Sequence, residues 1–263
     1  MSQLSFESLF LADQAEPQPR ISAPARMLSP AEARKEFASV FRQTAKNMRR
    51  SEVFRDFITL AASELDMARV RSPENIENSR RICGRYRPDD LDAMKKLFCL
   101  LVEGLAGDIH DFLGALYMEQ ELGADEMGQY FSPSCISRLM AGLLMPGAQE
   151  TIKREGWMTL DEPACGSAGM VIAFAYWMAE AGLNPSEQLY ASCTDIDPMV
   201  ADMAFIQLAL LGIPAKVVTG NTLTLKANRV RYTPVYYFND WQGRLAFRSR
   251  LDAMKNFLAT VAA

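Results

Sequence analysis

Histidine occurs once in the 263 residues, at His110. A Ser–His–Asp or Cys–His hydrolase would have to use that one ring, and most histidine-based metal sites are excluded. His110 lies in LAGDIHDFLGALY, an amphipathic helical stretch, so it reads as a helix-surface or half-buried side chain. No metal is expected. Cysteine is sparse as well: Cys83, Cys99, Cys135, Cys165 and Cys193 are at least 16 residues apart and form no CxxC pair. A zinc ribbon or a disulfide framework is excluded on that spacing. No apolar run approaches the roughly 18 to 20 residues that span a bilayer. The first twenty residues lack a basic region followed by an apolar stretch, so no signal peptide is read there. A cytoplasmic protein without a membrane partner is the expectation.

What is present suits a folded enzyme or binding protein. Hydrophobic residues make up 49% and charged residues 23%, enough apolar material for a core, so wholesale disorder is excluded. The net charge is -4, but it is polarised along the chain. Residues 101–225 carry 16 acidic and 4 basic side chains, whereas residues 226–263 carry 7 basic and 2 acidic. A polyanion would be held at the basic ends, where Arg and Lys neutralise phosphates. Arg244, Arg248 and Arg250 are the candidates there.

The chain divides into three. Residues 1–28, with Pro17, Pro19 and Pro24, read as a flexible lead. Residues 29–125 read as an α-helical region, opened by the capping box Ser29-Pro30-Ala31-Glu32. Residues 126–263 alternate between short apolar runs and helical patterns, the signature of βαβ units with a parallel sheet. Strands are predicted at MTLDEP from Met158, LYASCTDID from Leu189 and AKVVTGNT from Ala215, and a helix is predicted to start at Ser134 as its cap. The last segment, from Trp241, reads as one basic amphipathic helix.

Ligands of such sheets sit beyond the carboxyl ends of the strands. Three strand ends carry suitable groups. Asp161-Glu162-Pro163-Ala164-Cys165-Gly166-Ser167-Ala168-Gly169 is a glycine turn opening into a helix N-terminus. It is neither Gly-x-Gly-x-x-Gly nor a phosphate loop ending Gly-Lys-Ser/Thr. Asp195 ends the second strand, where a carboxylate can accept both hydroxyls of a ribose, and Ile196 is placed to lie against an adenine face. Asn221, in Thr219-Gly220-Asn221-Thr222, offers an amide to an adenine edge.

In this order the segments resemble the adenine-specific DNA methyltransferases, most of all the modification subunits of type I restriction–modification systems. GQYFSP, DEPACGSAGM, TDIDP and GNTL are similar to four loops of that family, and together they span residues 128–223. The resemblance implies an α/β, Rossmann-like S-adenosylmethionine-dependent methyltransferase sheet, truncated here, behind a helical region. It implies S-adenosylmethionine as cofactor, and as partners DNA and a specificity or modification subunit. Carried over residue by residue, Phe131 and Ser132 contact the methionine end of the cofactor. Asp161 and Gly166 border its amino-acid part, Asp195 takes the ribose with Ile196 beside it, and Asn221 meets the adenine amine. The family aspartate of the first turn is matched by either Asp161 or Glu162, and Ala168 stands in place of a family glycine.

The family's catalytic Asn/Asp-Pro-Pro-aromatic motif does not occur. Its amide and a backbone carbonyl hold the amine of a flipped adenine and its ring stacks on the base. The nearest segment is Thr233-Pro234-Val235-Tyr236, which keeps one proline and the aromatic; Tyr236 or Tyr237 would stack the base. The same stretch, TPVYYF, also reads as a plain β-strand. Two functions follow from the resemblance: transfer of methyl to the exocyclic amine of adenine in DNA, or a catalytically impaired cofactor-binding protein that modulates a restriction system.

Overall fold

The computed structural model describes residues 27–67, 72–122 and 131–261. The lead is therefore outside the described residues except for its last two, and so are residues 128–130 of the GQYFSP loop.

Five helices come first: α1 Pro30–Gln43, α2 Arg50–Met67, α3 Pro73–Cys83, α4 Pro88–Ala106 and α5 Phe112–Glu119. The capping box closes as the sequence predicts: the Ser29 backbone N–H donates to Glu32 at 2.9 Å, and the Glu32 N–H donates to Ser29 Oγ at 3.3 Å. Ala33, Phe37 and Phe41 then recur every four residues on the buried side of α1. Phe37 meets Phe57 of α2 and Phe112 of α5 edge-on, at 5.5 and 5.8 Å between ring centres. Nearly every apolar residue of α2 is buried, because α2 is packed between this helical layer and a helix of the sheet.

The second half alternates: α6 Ser134–Glu155, β1 Met158–Glu162, α7 Gly169–Glu180, α8 Pro185–Gln188, β2 Leu189–Asp195, α9 Pro198–Leu210, β3 Ala215–Asn221, β4 Lys226–Tyr232, α10 Pro234–Phe238 and α11 Trp241–Val261. The sheet order is β1-β2-β3-β4. The first three strands are parallel, with Asp161 opposite Ser192 and Thr194 opposite Val218. The α/β class is as expected. Among the described residues β1 has a neighbour on one side only. One continuous core runs from Phe37 of α1 through Phe174 of α7 and Phe205 of α9 to Val217 of β3.

Two expectations need correction. Ser134 does not cap α6: Pro133 occupies the cap position without a side-chain bond, and Ser134 is the first helical residue. TPVYYF is not a strand. The fourth strand is the preceding segment, Lys226–Tyr232, folded back antiparallel on β3, and Pro234–Phe238 is a short helix. The strand was hidden because four of its seven residues are polar or basic, as suits an exposed edge.

That edge is fastened by charge. Arg231 of β4, 4% exposed, pairs with Asp202 of α9 and with Asp66 of α2, the latter at 3.2 Å. Arg229 pairs with the same Asp202. A second, aromatic cluster of Trp157, Tyr190, Tyr236 and Trp241 fills the space at the amino ends of β1 and β2. No described helix is long and apolar enough to cross a membrane.

Candidate functional site

The three strand ends meet on the carboxyl side of the sheet. Gly166 stands at φ +55 and donates its backbone N–H to Asp195 Oδ2 at 2.9 Å, which ties the first turn to the end of β2. Asp195 Oδ1 accepts from the Asp197 N–H at 2.9 Å. Asp197 then caps α9 by accepting from Met199 at 2.8 Å and Val200 at 3.3 Å. The third loop joins through Thr222, whose hydroxyl donates to the Pro163 carbonyl at 2.5 Å. Phe131 covers the turn: a Cβ added to Gly166 would lie 3.2 Å from its ring, and Tyr117 packs behind it with ring centres 5.3 Å apart.

Gly166 thus lies against both Asp195 and Phe131, and Asn221 and Ile196 lie on the adjoining loops. Ile196 is 67% exposed beside Asp195. Asn221 uses its carbonyl locally, accepting from Leu223 at 2.9 Å and Thr224 at 3.1 Å. Ser132 is exposed at the start of α6. Of the two acids of the first turn, Glu162 is half-buried and accepts from the Ala164 N–H at 3.4 Å, while Asp161 is exposed on the opposite pleat of β1. Glu162, rather than Asp161, is the acid that touches the turn.

Beneath the turn is a network that sequence reasoning passed over. Asp111, at the N-cap of α5, accepts from Gly114 N–H at 2.8 Å, from Ser167 Oγ at 2.7 Å and from Gln207 Nε2 at 2.8 Å. Gln207 of α9, fully buried, also donates to the Ser167 carbonyl at 2.8 Å and accepts from Leu113 N–H at 2.9 Å. A Cβ on Gly114 would overlap both the Asp111 carboxylate and the Ser167 hydroxyl. Burial pushes the Asp111 carboxyl above the ordinary carboxylate range, opposed by its hydrogen bonds to Gln207, Ser167 and Gly114. The legible signal was Gly114 itself, a glycine inside an apolar helix, which costs about 1 kcal/mol relative to alanine and marks a close approach.

The segment Thr233-Pro234-Val235-Tyr236 is not at this site. The Thr233 hydroxyl is fully buried, donating to the Ile213 carbonyl at 2.8 Å and accepting from the Ala215 N–H at 2.9 Å. Ala215 begins β3 and Asn221 ends it. At about 3.3 Å per residue, Thr233 is about 20 Å from the loops at the carboxyl ends of the strands. Tyr236 is buried too, with its ring 4.4 Å from that of Tyr232 and 6.0 Å from that of Tyr190, near the amino end of β2. Neither a catalytic hydroxyl nor a base-stacking ring is presented from this position.

Two of the three arginines assigned to DNA face inward. The Arg244 guanidinium lies 3.9 Å from the ring centre of Trp241 and donates to the Glu187 carbonyl at 2.7 Å. Arg248 lies 3.9 Å from the ring centre of Trp157 and pairs with Glu155 at 2.5 Å. Arg250 is exposed.

Residues 102–236 match the family model of N-6 DNA methylases. No curated protein matches the chain. A structure from Listeria monocytogenes, described as a class I S-adenosylmethionine-dependent methyltransferase, is 15% identical over 70% of this chain and 52% of its own, with a TM-score of 0.44. The methyltransferase subunit of a type I restriction–modification system from Streptococcus thermophilus is 14% identical over 70% of this chain and 56% of its own, with a TM-score of 0.35. The chain thus spans about half the length of these solved structures.

Proposed function

Since the chain belongs to the N-6 DNA methylase family, we propose that its strand ends bind S-adenosylmethionine and that it serves methyl transfer to the exocyclic amine of adenine in DNA. The observation that carries the reading is the junction of three loops through Gly166–Asp195 and Thr222–Pro163. The residues present fit the cofactor. Each Asp195 oxygen accepts one N–H, and a carboxylate has about four acceptor positions, so two remain for vicinal ribose hydroxyls. Ile196 offers an open apolar face next to them, and Phe131 closes the turn from above. The bound cofactor supplies an electrophilic methyl group; the chain's own residues orient it and exclude water. DNA and a specificity or modification subunit are the proposed partners.

The position of Thr233 and Tyr236 favours a second reading, a cofactor-binding protein that modulates a restriction–modification system without transferring methyl. Calorimetry with S-adenosylmethionine and S-adenosylhomocysteine, followed by tritium transfer from labelled cofactor to unmethylated DNA, separates the two. Binding with transfer supports the enzyme. Binding without transfer supports the second reading. If neither compound binds, both readings are sunk.

A further inference from the structure

We propose that Asp111 is a positioning residue of the cofactor turn, through which the helical region holds Ser167 and the turn around it in the ligand-ready conformation. The functional half of this inference rests on the cofactor reading above; the structural half does not.

The geometry is specific. Asp111 leaves the helical region one residue before α5 and reaches Ser167, 56 positions later, at 2.7 Å. Ser167 is 2% exposed, and among the described residues its hydroxyl has one partner, Asp111. Its carbonyl is taken by Gln207, whose amide also reaches Asp111. The backbone on either side is in an unusual conformation: Gly166 at φ +55 and Ala168 at φ +72. An alanine at positive φ is strained, so the turn needs external fixing to stay there. Three donors and no acceptor converge on Asp111, the pattern an ionised carboxylate satisfies. Gly114 and Gly169 leave room for it: a Cβ at Gly169 would lie 3.0 Å from Asp111 Oδ2. The network therefore spans three elements, α5, the β1–α7 turn and α9, without contributing a group to the open side of the site.

The test compares Asp111→Asn with Asp111→Ala. Asparagine can keep all three hydrogen bonds: its carbonyl accepts from Gly114 and Gln207, and its amide donates to Ser167 Oγ. Alanine keeps none. Hydrogen exchange of amides 164–169 is measured without cofactor, and affinity for S-adenosylhomocysteine by calorimetry. Asp111→Ala is expected to speed exchange in 164–169 and weaken binding by about tenfold or more, with β2 and β3 amides unchanged, as unmade buried hydrogen bonds imply. Asp111→Asn is expected to restore both to within about threefold. If Asp111→Ala does not fold, Ser167→Ala removes the hydroxyl alone and should speed exchange in the same six amides. Wild-type exchange and affinity in Asp111→Ala overturn the proposal, and so does Asp111→Asn failing as badly as alanine, which would assign the effect to charge. If the wild type binds no cofactor, the functional reading fails while the exchange arm still decides whether Asp111 sets the turn.

Discussion

Gly166 and Asp195 are joined by a 2.9 Å hydrogen bond from the backbone of one to the carboxylate of the other. The acid that would receive a ribose is thus also what holds the glycine turn against the sheet. Removing it has two effects, an open loop and a lost acceptor. Asp195→Ala should weaken S-adenosylmethionine binding by about ten- to a hundredfold, from a charged hydrogen bond worth roughly 1.5–3 kcal/mol. Calorimetry checks this, and unchanged affinity would remove the ribose role.

Gly114→Ala forces a methyl group into the space of the Asp111 carboxylate and the Ser167 hydroxyl. Overpacking of this kind costs roughly 1–3 kcal/mol. At about 2–4 °C per kcal/mol for a chain of this size, melting should fall by several degrees. A variant that melts with the wild type would mean that α5 shifts freely against the turn.

Asp90 bears on acid stability. Burial alone would raise its carboxyl, but the Ala45 N–H at 2.9 Å and the Arg87 guanidinium at 3.2 Å reverse this and hold it below the ordinary range. A depressed folded pKa gives stability that is present above the unfolded value of about 3.9 and is lost as pH falls through the folded value. Asp90→Asn should be less stable than wild type at neutral pH, with the difference shrinking below about pH 4. Urea unfolding at both pH values measures it; a difference that does not change with pH contradicts the assignment.

Thr233 and the tail arginines should behave as structural residues. Thr233→Val strips two buried hydrogen bonds and should cost roughly 1–3 kcal/mol while leaving cofactor affinity intact. Arg248→Ala should lower the melting temperature without changing the salt slope of any DNA binding. Arg250→Ala should reduce that slope by about 0.9 if it contacts one phosphate of a duplex. A loss of slope in Arg248→Ala would show that its stacking on Trp157 opens when DNA binds.

Much of this was legible in the chain. The capping box of α1, the three parallel strands and the loops at their ends all announce themselves locally, by spacing and by turn residues. The error at TPVYYF came from weighing side-chain type over punctuation. Ser29-Pro30, Ser72-Pro73, Asn184-Pro185 and Asp197-Pro198 each open a helix, and Thr233-Pro234 follows the same rule. Its tyrosines are apolar because they close the cluster around Trp241, not because they form a strand. Asp111 was missed for a different reason. Its long-range partners Ser167 and Gln207 are 56 and 96 positions away; Gly114 marks a close approach but does not say to what. Ala168 goes against its backbone: at φ +72 the position suits glycine by conformation, and the alanine methyl there is fully buried in the core.

The Arg231 junction has a consequence for how the chain comes apart. Asp66 and Arg231 are 165 positions apart, yet the β3–β4 hairpin cannot peel from the sheet without leaving Asp202 and Asp66 short of their counter-charge. A buried charge stripped of its partner is costly enough to forbid piecemeal fraying. The hairpin, α9 and α2 are therefore expected to open together, and a protease that nicks one should find the others already exposed.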